Sequence, residues 1–349
     1  MKLTLLGSGT ILPHTKRNPA GFCLQIQDTI IVFDLGAGNL HQLGRLGIYA
    51  YQIDALYFSH YHMDHIGDLP SLLFSLKIPG FKRKKPLHIY GPPGLKKLYK
   101  GLQDLWGGWM SDGSYPLKLH EIKAGNKVKR PDYELNAFEA DHGGPNMDAL
   151  CYRVEDSSGA VFVYSGDSDY CETLVACCQD ADLAILECAS TDKNKIPSHL
   201  TPGLCGKIAK KAGVQKVILT HLYPDCFLPQ SIPSDYSENH STPSEPYPKE
   251  EVFTSFEKEA GYLPIIGSDL QQFEILPSEK PKKTEKKAST KKKTVKKKVT
   301  KKTTKKKAVA KKTTKKKAAT KKASTKKKTV KKKVTKKTTK KKASKKKAG

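Results

Sequence analysis

Long hydrophobic runs are missing from this sequence of 349 residues. No stretch approaches the ~20 apolar residues of a membrane-spanning helix, which excludes one. Cysteine pairs are missing too. The eight cysteines, at 23, 151, 171, 177, 178, 188, 205 and 226, are scattered, with no C-x-x-C and no disulfide framework. A reducing compartment is therefore the expected home. The opening segment MKLTLLGSGTILPHTKRN is interrupted by polar residues too early for a secretory signal. These absences together predict a soluble cytoplasmic protein with no membrane partner. Acidic and aromatic residues are nearly absent from one region only, the C-terminal fifth.

That region explains the net charge of +29, which at face value suggests a nucleic-acid-binding protein throughout. From Glu279 onward there are 37 lysines, two glutamates and no aromatic residue, a net charge of about +35. Of the 63 basic and 34 acidic residues, 26 and 32 then remain ahead of Glu279, so the body is mildly acidic at about −6. Two parts follow: a domain over 1–277, long enough for a large core, and a low-complexity tail over 278–349. The tail is Lys, Thr, Ala, Val and Ser almost throughout, too poor in apolar surface to offset the entropy of ordering, so disorder is expected. Lys286–Ala308 recurs letter for letter at Lys321–Ala343. No unit has an apolar face to stack, which makes this an array and not a solenoid. Such a charge binds RNA or DNA by counterion release, salt-sensitively and without reading sequence. In composition the tail resembles linker-histone tails. Its alternative role is to solubilise the chain.

In the body, apolar runs predict strands over 2–6, 22–26, 29–33, 54–58, 87–90, 133–140, 150–155, 161–164, 184–187, 216–220 and 271–275. Helical spacing appears over 39–46, 66–77, 201–212 and 253–260. Residues 227–249, rich in Pro and Ser, read as a loop insertion. Strands clustered in hairpins yet alternating with helices in each half predict an α/β fold, an αββα sandwich with sheets inside and helices outside.

The chemistry gathers at strand ends. His60-Tyr61-His62-Met63-Asp64-His65 reads H-x-H-x-D-H, between a strand and a helix. Two alternate histidines on an extended turn can face one metal, while Asp64 and His65 reach a second. Imidazole and carboxylate suit catalytic zinc with a position left for water. A lone histidine at a strand end is more often a hydrogen-bonded loop residue; it is the clustering that argues for a metal. Further donors follow other apolar runs: His142 after 133–140, Asp167 in Ser165-Gly166-Asp167-Ser168, and His221 after 216–220.

Asp34 in FDLGAG, the H-x-H-x-D-H turn, His142, Asp167 and His221, in that order, resemble the five motifs of the metallo-β-lactamase superfamily over essentially residues 1–275. The resemblance implies the metallo-β-lactamase fold and two zinc ions per chain. One would be held by His60, His62 and His142, the other by Asp64, His65 and His221, with Asp167 bridging. Asp34 would support the metal turn without ligating. β-Lactamases of this fold commonly have Cys where Asp167 stands, which argues against lactam hydrolysis.

Three segments resemble ribonuclease Z and related phosphodiesterases: Leu6-Gly7-Ser8-Gly9-Thr10 with Pro13, Arg17 and Asn18; Ile89-Tyr90-Gly91-Pro92-Pro93-Gly94-Leu95; and Glu187-Cys188-Ala189-Ser190 followed by His199-Leu200-Thr201. By that similarity a metal-bridging hydroxide attacks phosphorus, His199 protonates the departing oxygen, Glu187 orients His199, and Asp64 belongs to the catalytic set. A histidine with an unperturbed pKa of ~6.5 suits the acid's role. On the residues alone, the alternative for His199 is a helix-entry residue before Thr201-Pro202, and for Glu187 a strand-end carboxylate.

This sequence also departs from that family. The long Gly-rich tRNA-binding arm between the motifs of His142 and Asp167 is replaced by the short interval Gly143 to Gly166. Leu186 stands where a histidine is usual, and FDLGAG lacks the Glu common in the tRNA enzymes. A phosphodiester substrate is expected, a precursor RNA or alternatively a small ester such as a cyclic nucleotide. The non-catalytic alternative is a nucleic-acid-binding scaffold. A homodimer is left open. Lys82-Arg83-Lys84-Lys85 reads as a solvated loop or a substitute basic contact. Trp106 and Trp109 read as lid packing or as rings at the site mouth. Tyr61 and Met63 are expected to pack under the metal turn, and Asp225 and Cys226 to shape the site or merely sit in its loop.

Overall fold

The apolar runs of the sequence are apolar on both faces, and the computed structural model shows why. It describes residues 1–78, 83–110, 115–144, 147–228 and 248–278. The first sheet is built from β1 (Lys2–Gly7), β2 (Gly21–Ile26), β3 (Thr29–Phe33), β4 (Ala55–Tyr57), β5 (Leu87–Gly91), β6 (Leu117–Glu121) and β14 (Gln272–Glu274), in the order β14-β1-β2-β3-β4-β5-β6. The second holds β7 (Lys127–Lys129), β8 (Tyr133–Glu139), β9 (Leu150–Asp156), β10 (Val161–Tyr164), β11 (Leu183–Glu187), β12 (Val217–Thr220) and β13 (Ile265–Ile266), in the order β13-β12-β11-β10-β9-β8-β7.

Alternate residues of each strand leave on opposite faces. Phe22, Leu24, Ile31 and Phe33 of the first sheet meet Phe162, Tyr164, Leu183 and Ile185 of the second in a central core. Their sequence neighbours turn outward. Cys23, Val32 and Leu56 pack beneath α1 (Asn39–Arg45), α3 (Leu69–Ser75) and α4 (Leu95–Trp106), while Val163, Ala184 and Leu186 pack beneath α5 (Glu172–Cys177), α6 (Pro202–Ala212) and α7 (Glu250–Ala260). Both faces of each sheet are covered, which is the expected αββα sandwich.

Strands β3 to β6 run parallel, as do β10 to β13. Ligands in such sheets bind beyond the carboxyl ends of the strands, and Asp34, His60, Asp167 and His221 all lie just past such ends. The chain closes on itself where β14 pairs antiparallel with β1, Lys2 opposite Glu274.

Elsewhere the structure departs from the sequence reading. The single helix expected over 66–77 is two, α2 (Met63–Ile66) and α3, separated by Gly67 and Asp68, with Pro70 in the first turn of α3. Proline lacks an N–H and is tolerated there. Helix α4 and strands β6 and β7 were not anticipated. They bury little: only Leu95 of α4 is buried, and β6 and β7 have no buried residue, so their patterns carry a weak signal. The loop insertion read at 227–249 falls largely on residues 229–247 and, like the tail with its repeat and Lys82, lies outside the described residues. Among the described residues, no helix is long and apolar enough to cross a membrane.

Candidate metal centre

The H-x-H-x-D-H turn is clamped to the turn after β3. Leu35 N–H donates to the His65 carbonyl at 2.7 Å, and Asp68 N–H donates to Leu35 at 2.9 Å. Gly36 permits this approach, since a Cβ there would lie 2.3 Å from the Asp64 carbonyl oxygen. Asp34, fully buried with φ of +52°, is the hub. Its carboxylate accepts from Ser59 N–H and Ser59 Oγ, each at 2.7 Å, from Tyr164 OH at 2.5 Å, and lies 2.7 Å from His65 Nδ1. Holding Nδ1 fixes the ring so that Nε2 faces the centre.

Two donor sets result. In the first, His62 Nδ1 lies 2.9 Å from His60 Nε2 and 3.2 Å from His142 Nε2, and both of those nitrogens lie 3.9 Å from Asp167 Oδ2. In the second, Asp64 Oδ2 lies 3.8 Å from His65 Nε2 and 3.3 Å from His221 Nε2. Asp167 Oδ2 stands 3.3 Å and 3.5 Å from the same two nitrogens. Asp167 Oδ2 therefore belongs to both sets.

The spacing can be compared with what a metal requires. Bonds of about 2.0–2.1 Å at tetrahedral angles place ligand atoms about 3.4 Å apart, and both sets scatter around that value. A further sign is His65 Nε2, a fully buried nitrogen with no hydrogen-bond partner that points into the second set. Nitrogen and carboxylate donors of this kind suit zinc. The residues present thus fit a pair of divalent ions.

Charge is balanced within the cluster. Burial works to raise the Asp167 carboxyl, but the imidazoles of His221 and His65 outweigh it and hold it well below the usual carboxylate range. Burial works to lower His65, and the Asp167 and Asp34 carboxylates outweigh that, holding it well above the ordinary imidazole value.

His199 stands beside the second set, one ring nitrogen within 4.8 Å of Asp167 and His221 donors. Its Nδ1 lies 2.8 Å from Glu187 Oε1. Glu187 also accepts from Ser168 N–H at 3.2 Å and Ala189 N–H at 3.0 Å, so the carboxylate cannot swing away. Burial works against a charged His199, but the hydrogen bond and charge of Glu187 prevail and raise its pKa. The loop carrying His199 is tied by Asp225, which accepts from Thr191 Oγ at 2.7 Å and Asn194 Nδ2 at 3.1 Å. Asp225 thus shapes the site through that loop.

Other side chains support the cluster from afar, through contacts that no local pattern encodes. His221 has φ of +58°, an unfavourable value for a non-glycine residue, and its N–H donates to the Ser8 carbonyl at 3.0 Å. Ser8 is held by Asp269, which accepts its N–H and Oγ, each at 2.8 Å. Buried Arg17 reaches both Ser8 Oγ and the Gly267 carbonyl. The Leu6–Asn18 segment therefore braces His221. His142 Nδ1 meets the Ser198 carbonyl at 3.0 Å, a backbone contact without a sequence signature. Ser59 and Tyr164 were legible only as neighbours of His60 and Asp167.

Three expectations change. Met63 is 74% exposed and does not pack under the turn, whereas Tyr61 does, donating to the Pro92 carbonyl at 2.5 Å. Arg83 is neither solvated nor a basic contact: it is buried and donates to the Tyr51 and Pro86 carbonyls at 2.7 and 2.6 Å. Trp109 meets Phe74 edge-on at 5.3 Å, yet Trp109 and Trp106 keep 59% and 43% of their surface exposed, so the packing is partial.

A sandwich carrying these donor sets between its sheets defines a metal-dependent hydrolase. The chain belongs to the β-lactamase superfamily: the profile of that family, described as a beta-lactamase superfamily domain, matches residues 31–222. Within it the chain is similar to ribonuclease Z of Methanothermobacter thermautotrophicus, 28% identical over 271 residues covering 64% of this chain and 86% of that protein. Ribonuclease Z of Myxococcus xanthus is likewise 28% identical, over 64% and 87%. The fold is similar to that of human tRNase Z, short form, with a TM-score of 0.60 and 22% identity over 79% of this chain and 99% of that one. It is also similar to the Bacillus subtilis metallo-beta-lactamase fold protein YhfI, with 0.62 and 21% over 78% and 98%. These likenesses agree with the motifs that resemble ribonuclease Z and related phosphodiesterases.

Proposed function

We propose that this chain is a two-zinc phosphodiesterase that cleaves RNA in the manner of ribonuclease Z. The observation that carries the reading is the pair His199–Glu187, 2.8 Å apart, set against donor sets that share Asp167. His60, His62, His142 and Asp167 would hold one ion, and Asp64, His65, His221 and Asp167 the other. When bound, the ions would lower the pKa of water between them toward ~7 and neutralise the phosphoryl oxygens.

The remaining work falls to side chains. Glu187 accepts a hydrogen bond from His199 Nδ1–H, which fixes the ring's orientation and leaves Nε2 for the substrate. The protonated imidazole then gives its Nε2 proton to the departing oxygen, and Glu187 stabilises the charged form until it does. Asp34 keeps His65 aimed at the centre, and Asp64, 3.3 Å from His221 Nε2, would serve the catalytic set by holding its ion.

The tail would bind RNA or DNA and keep the acidic body near its polyanionic substrate, consistent with a place in the cytoplasm among RNA or nucleoid. A second reading, hydrolysis of a small phosphodiester, is favoured by one observation. The interval that would carry an arm holds the β9–β10 hairpin, whereas the cavity of about 650 Å³ beside His142, lined by Glu139, Asp141, Asp148 and Glu172 against Lys123, repels a phosphodiester on that side.

The deciding experiment measures bound zinc and cleavage of a precursor tRNA beside a chromogenic phosphodiester, for the full chain, for His62→Ala and for a chain ending at Pro277. Bound zinc and tRNA cleavage are expected in the full chain, and loss of both in His62→Ala. Cleavage of the chromogenic ester alone favours the second reading, and metal without cleavage of either substrate overturns phosphodiesterase activity. A chain that binds no metal would be a scaffold.

A further inference from the structure

At the edge of the sandwich where β6 and β7 end the two sheets, the space between the sheets is basic instead of apolar. A cavity of about 630 Å³ there is lined by His88, Tyr90, His120, Lys127, Lys129 and Arg130, among others. Lys118 alternates with Leu117 and Leu119 on β6, so it shares the face of His120, and it stands opposite His88 across the β5–β6 pairing. Edge strands commonly carry lysine to discourage pairing with other chains. Lys127 and Lys129 fit that role, since both pair with Glu134 at 3.4 and 3.0 Å.

It does not account for the others. Arg130 donates to the Tyr90 hydroxyl at 2.5 Å, and among the described residues neither Arg130 nor Lys118 pairs with a carboxylate. His88 Nδ1 and His120 Nε2 lie 3.0 Å apart. Burial first, then the charge of Arg130, pushes His88 down to about 4 and lowers His120 as well. The floor of the groove is therefore two imidazoles whose charged forms are disfavoured, beside the cations of Lys118 and Arg130. Its neighbour is the opposite: Glu121 and Ile122 line the basic groove, while the next residues, Lys123 and Ala124, line the acidic cavity beside His142. A polyanion approaching the metal centre is repelled on the Glu172 side and attracted on the Arg130 side.

We propose that the groove between β6 and β7 binds the phosphate backbone of a single-stranded nucleic-acid segment, with Lys118 and Arg130 on the phosphates, and guides it toward the metal centre. This rests on the reading of the chain as an RNA-cleaving enzyme and names a contact surface on the body where the family's arm is missing. Tyr90 is buried and stacked against Tyr57 and His120, so the cations and not base stacking carry the contact.

The tail binds polyanions too, so the test must resolve residues. The full chain is acylated at lysine with and without a short oligouridylate, and peptides are read by mass spectrometry. The groove predicts that labelling of Lys118, Lys127 and Lys129 falls several-fold, while Lys207 and Lys216, on another part of the body, are unchanged. In Lys118→Glu, protection of Lys127 and Lys129 is lost although the tail remains protected. Protection confined to the tail overturns the proposal, as does equal protection by inorganic tripolyphosphate at matched phosphate concentration. The readout needs no turnover. A footprint without RNA cleavage refutes the cleavage reading alone, and cleavage without a footprint refutes the groove alone.

Discussion

Asp34 is the residue on which the metal centre turns, although it touches no metal position. Four donors converge on its carboxylate, among them His65 Nδ1 at 2.7 Å. Asp34→Asn keeps the shape but cannot accept from all four. Loss of such a supporting contact typically costs 10–100-fold in metal affinity, and competition with a zinc chelator should show a drop in that range. Unchanged affinity would mean that His65 needs no orientation. His199 makes a second test at this scale. Its pKa is raised by Glu187 against the effect of burial, and only the protonated ring can act as the acid. Activity is therefore present below the raised pKa and lost as pH climbs through it. Glu187→Gln removes the raising charge, so the alkaline limb of the kcat/KM profile should move to lower pH as kcat falls. A limb that stays in place would assign it to another group.

At the scale of elements, the strands were the easiest part to read. Thr29–Phe33 and Val161–Tyr164 stand where their apolar runs placed them, because both faces of each strand are buried. Phe33, fully buried, packs against Tyr57, Tyr152, Phe162 and Tyr164. Phe33→Ala should cost about 3–5 kcal/mol in denaturant unfolding; a cost under about 1 kcal/mol would contradict a close-packed core. Helix α6 was legible from its ends, Thr201 capping with Pro202 in the first turn and Gly213 closing it at φ of +69°. What the sequence hid were contacts between distant parts of the chain. Asp269 holds Ser8 across 261 residues, and no local pattern encodes such a bond. Helix α4 stayed hidden for a different reason, since it is largely solvated. The loop between β11 and α6 offers a test of positioning. Asp225→Ala frees Thr191 and Asn194, so kcat should fall several-fold with little change in Tm, Asp225 being partly exposed. A fall in KM with kcat unchanged would argue against the loop as the carrier of His199.

For the whole molecule, the order of Asp34, His60 to His65, His142, Asp167 and His221 was legible because each follows an apolar strand and the two parallel halves bring those ends to one edge. The balance of charge was legible too, a body near −6 against a tail near +35. Ending the chain at Pro277 should leave the thermal transition of the body in place and abolish most salt-sensitive binding to generic DNA; retained binding would transfer that role to the body.

The central claim is that the donor sets sharing Asp167 hold two ions that work together on a phosphodiester. It is tested most directly by measuring zinc per chain alongside turnover of a precursor tRNA and a chromogenic phosphodiester as zinc is titrated into metal-free protein. Activity that rises only as the second equivalent binds, and that is lost with both ions in Asp167→Ala, is the predicted result. Full activity at one equivalent, or two bound equivalents without cleavage of either ester, would contradict it.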